Sequence, residues 1–216
     1  MPKLRVHNFA ISLDGFGAGP DQGLDNPLGV RGEELHEWIF ETRGWGEMIG
    51  QPGGSAGVDD DFFVRGFTGI GATVMGRNMF GPIRGPWSDE DWKGWWGDDP
   101  PYHHPVFVLT HYAHEPIEMK GGTTFHFVTD GIESALEQAF AAADGEDVRL
   151  GGGASVVQQY MQAGLIDEMH LAIVPILFGG GERLLDNLGD GIEHYECTEL
   201  ISSPEVVHAR LTRKSS

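Results

Sequence analysis

An α/β fold, built on a mostly parallel sheet with helices on both faces, is what this 216-residue sequence predicts. Three observations carry that reading. Short apolar runs rich in β-branched residues recur along the chain, and most of them stop at glycine. Segments of helical period stand between them, in the alternation that gives parallel sheets. The last stretch, Tyr195 to Arg213, reads as a hairpin, which adds an antiparallel finish.

The first run, LRVHNFAISL (4–13), is apolar on both sides and halts at Asp14-Gly15, the pattern of a buried strand entering a turn. From Gly17 to Val58 the composition turns to glycine, proline and acid, with one helix-like piece, EELHEWIFET (33–42). This segment holds too few apolar residues for a core of its own and reads as a long excursion from one domain spanning 1–216. Asp59, Asp60 and Asp61 precede FFVRGF, where acids cap a helix and complement its dipole.

GIGATVM (69–75) is the next strand, and Gly76-Arg77-Asn78-Met79-Phe80 turns out of it. A second long loop, 81–105, holds Trp87, Trp92, Trp95 and Trp96. Strands VFVLT (106–110) and TFHFV (124–128) follow. Helix 132–143 has Asp130 and Glu133 in capping-box spacing, an apolar stripe of Ile132, Ala135, Leu136, Ala139 and Phe140, and Gly145 beyond its end. DVRL (147–150) runs into Gly151-Gly152-Gly153, and a helix starts at Ala154 and ends at Gly164. EMHLAIVPILF (168–178) leads to a third glycine turn, 179–181.

Charge and cysteine usage narrow the function. With 14 basic and 33 acidic residues the net charge is −19, which excludes a polyanion-binding face and makes nucleic acid an unexpected partner. A few local donors still suffice for one small anionic ligand. The single cysteine, Cys197, provides no disulfide, redox pair or thiolate metal site. No signal-like or membrane-spanning run occurs, so a cytoplasmic protein without a membrane partner is expected. His103-His104 lack an acid at ligand spacing and His36-Glu37 lacks a second histidine, so no metal is expected.

Two glycine turns, TVMGRNMF and VRLGGGASVVQQY, each join a strand to a helix, the arrangement that aims backbone N–H groups at phosphate. The second is not the dinucleotide fingerprint, because its sixth position is Val156. The tryptophans either stack on a flat ring or pack the long loops onto the sheet. Hydrolase chemistry is not indicated, since Ser155 has no G-x-S-x-G context.

In combination, strand-Gly-Arg, strand-Leu-Thr-His and strand-Gly-Gly-Gly-helix resemble the dihydrofolate-reductase-like family, including the reductase domain of the riboflavin-biosynthesis deaminase-reductases. AISLDG and GLIDEMHLAIVPILFGGGERLL are similar to its stand-alone bacterial branch. The resemblance implies a three-layer fold with a sheet of about eight strands, bound NADPH, a homodimer, and hydride transfer to a C=N or C=O bond of a small heterocycle. It implies that Arg77 meets the adenosine end of NADPH, with Gly76, Asn78 and Met79 in the same turn. Thr110 and His111 then face the 2′-phosphate, and Gly151, Gly152, Gly153, Ala154 and Ser155 the pyrophosphate. Ala10, Ile11 and Ser12 would flank the nicotinamide. Asp60 stands at the distance of the family's substrate-orienting acid, with Asp59 and Asp61 equally compatible in spacing.

The sequence departs from the family in three places. Asn8 replaces the substrate-contacting lysine of the riboflavin reductases, Met79 replaces a threonine, and the zinc deaminase half is missing. Reduction of a ribosylated aminopyrimidine, 5-amino-6-(5-phosphoribosylamino)uracil, is therefore the alternative substrate reading. A non-catalytic nucleotide-binding dimer is the alternative of another class.

Overall fold

A computed structural model describes residues 1–81, 84–88 and 91–214. Four positions of the tryptophan-bearing loop, 82, 83, 89 and 90, thus lie outside the described residues.

The chain opens with β1 (Leu4–Ser12), buried at every residue, which is why its sequence reads as a continuous run rather than an alternation. After β2 (Phe16–Ala18) comes the excursion. It contains a 3₁₀ turn over Gly32–His36, α1 (Glu37–Phe40) and α2 (Arg43–Met48). The expected single helix over 33–42 is therefore broken. Thr42 leaves the helical region and caps α2, its hydroxyl accepting from Trp45 N–H at 3.2 Å.

The remaining elements are α3 (Val58–Arg65), β3 (Ile70–Gly76), α4 (Arg77–Phe80), β4 (Pro105–Leu109), β5 (Ile117–Glu118), β6 (Thr124–Val128) and α5 (Ile132–Ala142). They continue with β7 (Asp147–Gly152), α6 (Ala154–Gln162), β8 (Glu168–Val174), β9 (Glu182–Arg183), β10 (Tyr195–Ser202) and β11 (Val207–Arg213).

Nine strands form one sheet in the order β10-β11-β8-β1-β7-β3-β4-β6-β5. The six from β8 to β6 run parallel. The C-terminal hairpin adds β11 and β10 antiparallel to β8, and the two-residue β5 lies antiparallel on the other edge. Like β2 and β9, which pair in a separate two-stranded sheet, β5 is a strand the sequence does not signal. On one face α5 and α6 bury Leu136, Ala139, Val157 and Tyr160 against Leu4, Val6, Val74, Val148 and Leu150. The opposite face carries two smaller cores. Leu35, Trp38 and Ile39 of the excursion and Phe63 of α3 cover Ala10, Ala172 and Val174, whereas Phe80 and Tyr102 cover Met75, Val106, Val108 and Phe125.

Three local expectations are corrected. The strand expected over 168–178 stops at Val174, because Pro175 has no N–H for the ladder, so the third glycine turn does not directly follow it. The acids Asp59, Asp60 and Asp61 sit in the first turn of α3 behind Gly57 as N-cap. Asp130 does not cap α5 either. Gly131, at φ 94, is its N-cap and no side chain bonds the free amides.

Candidate functional site

In a parallel sheet the strand ends that carry free loops all lie at one edge, where ligands bind. Here the carboxyl ends of β1, β3, β4, β6 and β7 border a cavity of about 670 Å³. Of the cofactor and catalytic residues that the family resemblance implies, all but Ile11, Ser12 and Asp60 with its alternatives Asp59 and Asp61 line it.

Arg77 follows β3 directly and is half-buried. Its guanidinium lies 3.5 Å over the Trp87 ring and reaches the Gly81 carbonyl through Nη1 at 3.4 Å. The Nε is buried without a partner, and among the described residues no carboxylate pairs with it. Burial lowers its pKa, so this cation is held short of solvation with donor capacity to spare. In a chain of net charge −19 an arginine without an acid partner among the described residues is informative. Arg84, which also borders the cavity, is by contrast paired with Glu182 at 2.9 Å.

The glycine turn lies beside it. Gly152 adopts φ 128, and a Cβ there would stand 3.1 Å from the Phe9 ring, so glycine is needed for both conformation and space. At Gly76 a Cβ would meet Val156 Cγ2 at 2.6 Å, which keeps the turns after β3 and β7 in contact. Gly153 is the N-cap of the nine-residue α6, with no side-chain cap. The first amides of α6 therefore keep free N–H groups next to the cavity, where Gly153, Ala154 and Ser155 lie. Thr110 and His111 border the cavity from the end of β4, the Thr110 hydroxyl accepting from Tyr112 N–H at 3.2 Å.

Three residues stand elsewhere. Ile11 belongs to the core under α5 and α6, and Ser12 donates through Oγ to Asp14 at 2.7 Å. Asp60 is buried in α3, accepting from Gly44 N–H at 2.7 Å and facing Arg43 at 3.1 Å, which ties the excursion to the sheet face. Its neighbour Asp59 accepts from His208 Nε2 at 2.7 Å. The tryptophans divide. Trp95 and Trp96 line the cavity and Trp87 supports Arg77, whereas Trp38 and Trp45 pack the excursion. His103 and His104 are engaged by Gly121 O and Thr73 Oγ1. Among the described residues no group of three or more His, Cys, Asp or Glu is placed to hold a metal ion. No helix among them is long and apolar enough to cross a membrane.

Several wall residues escaped the sequence reading. Thr129 and Gly131 follow β6, and the strand-end rule applied to every parallel strand would have found them. Gln22, Leu28 and His36 come from the excursion, where no motif marks them, and Phe9 reads in sequence only as part of a buried strand.

A mostly parallel sheet with an antiparallel C-terminal hairpin and a glycine-turn cavity at its carboxyl edge is the dihydrofolate-reductase-like class of α/β protein. Within that class the chain belongs to the RibD C-terminal domain family, whose model matches residues 2–208. Membership supports an oxidoreductase of the riboflavin-pathway reductase type. Solved structures share the fold. A protein of Shewanella sp. PV-4 assigned by name to riboflavin biosynthesis is 22% identical with TM-score 0.60, covering 100% of both chains. A pyrimidine reductase-like protein of Corynebacterium diphtheriae is 14% identical with TM-score 0.54, covering 100% of this chain and 93% of that one. The diaminohydroxyphosphoribosylaminopyrimidine deaminase/5-amino-6-(5-phosphoribosylamino)uracil reductase of Thermotoga maritima is 12% identical with TM-score 0.55, and the match covers 99% of this chain but 57% of that one. No curated protein matches the sequence.

Proposed function

We propose that the protein is an NADPH-dependent reductase acting on a C=N or C=O bond of a small heterocycle. The observation that carries this reading is Arg77: a desolvated cation over Trp87, without an acid partner among the described residues, beside a glycine turn that opens a helix. NADPH would supply the hydride; the protein's work is to bind, orient and exclude.

The residues fit that cofactor. Arg77, with Thr110 and His111 at the next strand end, would take the phosphate that distinguishes NADPH from NADH. The free amides of α6 and the side-chain-free surface of Gly151 to Gly153 suit the pyrophosphate. Asp60 does not line the cavity, so we assign it to anchoring the excursion and assign the proton that accompanies hydride transfer to water.

Titration of the purified protein with NADPH and NADH, followed by tryptophan-to-nicotinamide energy transfer, tests the reading. A charge-assisted hydrogen bond contributes roughly 1.5–3 kcal/mol, so NADPH should bind about ten- to a hundredfold tighter than NADH. Arg77→Ala should erase most of that preference. Equal binding of the two cofactors, or none of either, would overturn it.

A further inference from the structure

A second cation, away from the cavity, is left in the same condition as Arg77. Eight of the ten arginines form an ion pair with a carboxylate, and among the described residues Arg77 and Arg149 are the two that do not. Arg149 belongs to β7 and lines no part of the cavity. Its Nε is buried without a partner. Nη1 and Nη2 have no protein acceptor among the described residues either, but they are not buried, so the fork of the guanidinium keeps its donors free and within reach of solvent.

The layering of the sheet explains why this position is open. Val148 and Leu150 point into the core under α5 and α6, so strand alternation turns Arg149 to the opposite face. That face carries two separate cores. One covers β1 and β8 through Ala10, Ala172 and Val174, the other covers β3, β4 and β6 through Met75, Val106, Val108 and Phe125. β7 lies between β1 and β3 and contributes to neither. A seam therefore runs over β7, and the register sets Arg149 on its floor in line with Arg5 of β1 and Thr73 of β3.

The banks of the seam supply the other groups. On one side Phe67, packed against the first core, lies 4.3 Å from the Arg149 guanidinium carbon. On the other stands Tyr102 of the second core, with His104 edge-on to it at 6.1 Å. His104 Nε2 is bonded to Thr73 Oγ1 at 2.8 Å, which leaves Nδ1 free, and the Tyr102 hydroxyl is unpaired and unburied among the described residues. The charge of Arg149 acts on both Tyr102 and His104, so the three groups lie close together. Burial, with Arg149 and His103 beside it, holds His104 down at about 4, and burial pushes the Tyr102 hydroxyl up, so at neutral pH the ring is uncharged and the phenol keeps its proton to donate. Arg5 is spent by comparison: it donates to Asp147 at 3.1 Å and to the carbonyls of Thr68 and Arg65 at 3.0 and 2.7 Å.

A guanidinium withdrawn from bulk water without a counter-charge is at a disadvantage that an entering anion removes. Its planar fork offers two parallel N–H groups, which match the oxygens of a carboxylate or a phosphate. We propose that the seam over β7 is a second binding site, separate from the cavity, for the phosphate or carboxylate group of a small molecule, held by the Arg149 fork with the Tyr102 hydroxyl donating beside it. The site goes beyond the reductase reading and does not depend on it.

The test titrates inorganic phosphate, and separately acetate, into the full chain near neutral pH at constant ionic strength, following the ring signals of His104 by NMR. At least one of the two ions is expected to saturate the site with Kd of about 1 mM or tighter, and the tighter ion tells which oxyanion the site prefers. Arg149→Met keeps an apolar stem over Phe67 and drops the fork. It should weaken binding at least about tenfold while the urea midpoint of the ion-free protein stays close to or above that of the wild type, because no protein acceptor is lost. Tyr102→Phe should weaken binding about three- to tenfold. The saturating ion should also raise the urea midpoint of the wild type more than that of Arg149→Met. Arg77→Ala should leave the His104 response as it is, since that arginine serves the cavity.

A response that stays linear with either ion, or one that survives Arg149→Met, overturns the site. So does an Arg149→Met chain that no longer folds, because the guanidinium would then have a structural partner. Loss of the His104 response in Arg77→Ala overturns its separateness from the cavity. Failure of NADPH to bind leaves the seam untouched, and an empty seam leaves the cofactor reading untouched.

Discussion

The two halves of the cavity are built by different means. Around β3, β4 and β7 the wall is largely main chain: glycine turns, the open start of α6, and one arginine. At β1 it is backed by buried side chains of β8, β11 and α3: the Asn8 backbone N–H donates to His170, which leads to His208 and then Asp59. A main-chain wall needs only glycine at the right turn, and it tolerates change in the packing behind it. A side-chain wall fails if any member is lost, because each buried polar group depends on the next.

Phe62→Ala is the strongest test of that difference. Phe62 is buried and stacks on both histidines, so its truncation should cost about 3–5 kcal/mol in urea unfolding, while the protein that remains folded keeps its NADPH affinity within about threefold. A loss of cofactor affinity without a loss of stability would break the comparison.

Asp60→Asn sharpens it. The asparagine still accepts from Gly44 N–H and gives up only the ion pair with the half-exposed Arg43, so stability should fall by about 1 kcal/mol with NADPH affinity unchanged. A large loss of NADPH affinity would return Asp60 to the cavity chemistry.

Asp14 offers a pH test of the turn after β1. Hydrogen bonds from Ser12 Oγ and from the Gly179 and Phe178 amides pull its carboxyl down from 3.8 to about 2. A depressed folded-state value means that the contribution is complete above the ordinary carboxyl range and is lost as pH falls from about 4 towards 2. The urea midpoint of the wild type should therefore drop more steeply through that window than that of Asp14→Asn. Parallel curves would refute the anchor. The smallest effect is expected from Asp130→Ala, less than about 0.5 kcal/mol, because Gly131 occupies the cap position; a true capping aspartate would cost about 1 kcal/mol.

Asp130 also marks where sequence reading stopped. Its spacing to Glu133 is that of a capping box, yet one residue of backbone, Gly131 at φ 94, shifts the cap past it. Asp60 stands at the sequence distance of the family's substrate-orienting acid, and distance along a chain says nothing of which way a helix turns its face. By contrast, Arg77 and the glycines of 151–153 were legible because strand, turn and helix follow one another directly, and the turn's chemistry is local.

The sequence by itself determined the α/β alternation, the closing hairpin, the family and the glycine turns that line the cavity. All of these rest on contacts between residues near in sequence or on periodicity that the chain displays openly. Tertiary structure alone decided that Asn8 sits at a bulge, that its amide meets a histidine 162 positions away, and that Asp59 ends the chain of hydrogen bonds from 149 positions before its partner. Such contacts form only once β1, β8, β11 and α3 have docked, and the pairing register that brings their side chains together is set by packing, not by any local pattern.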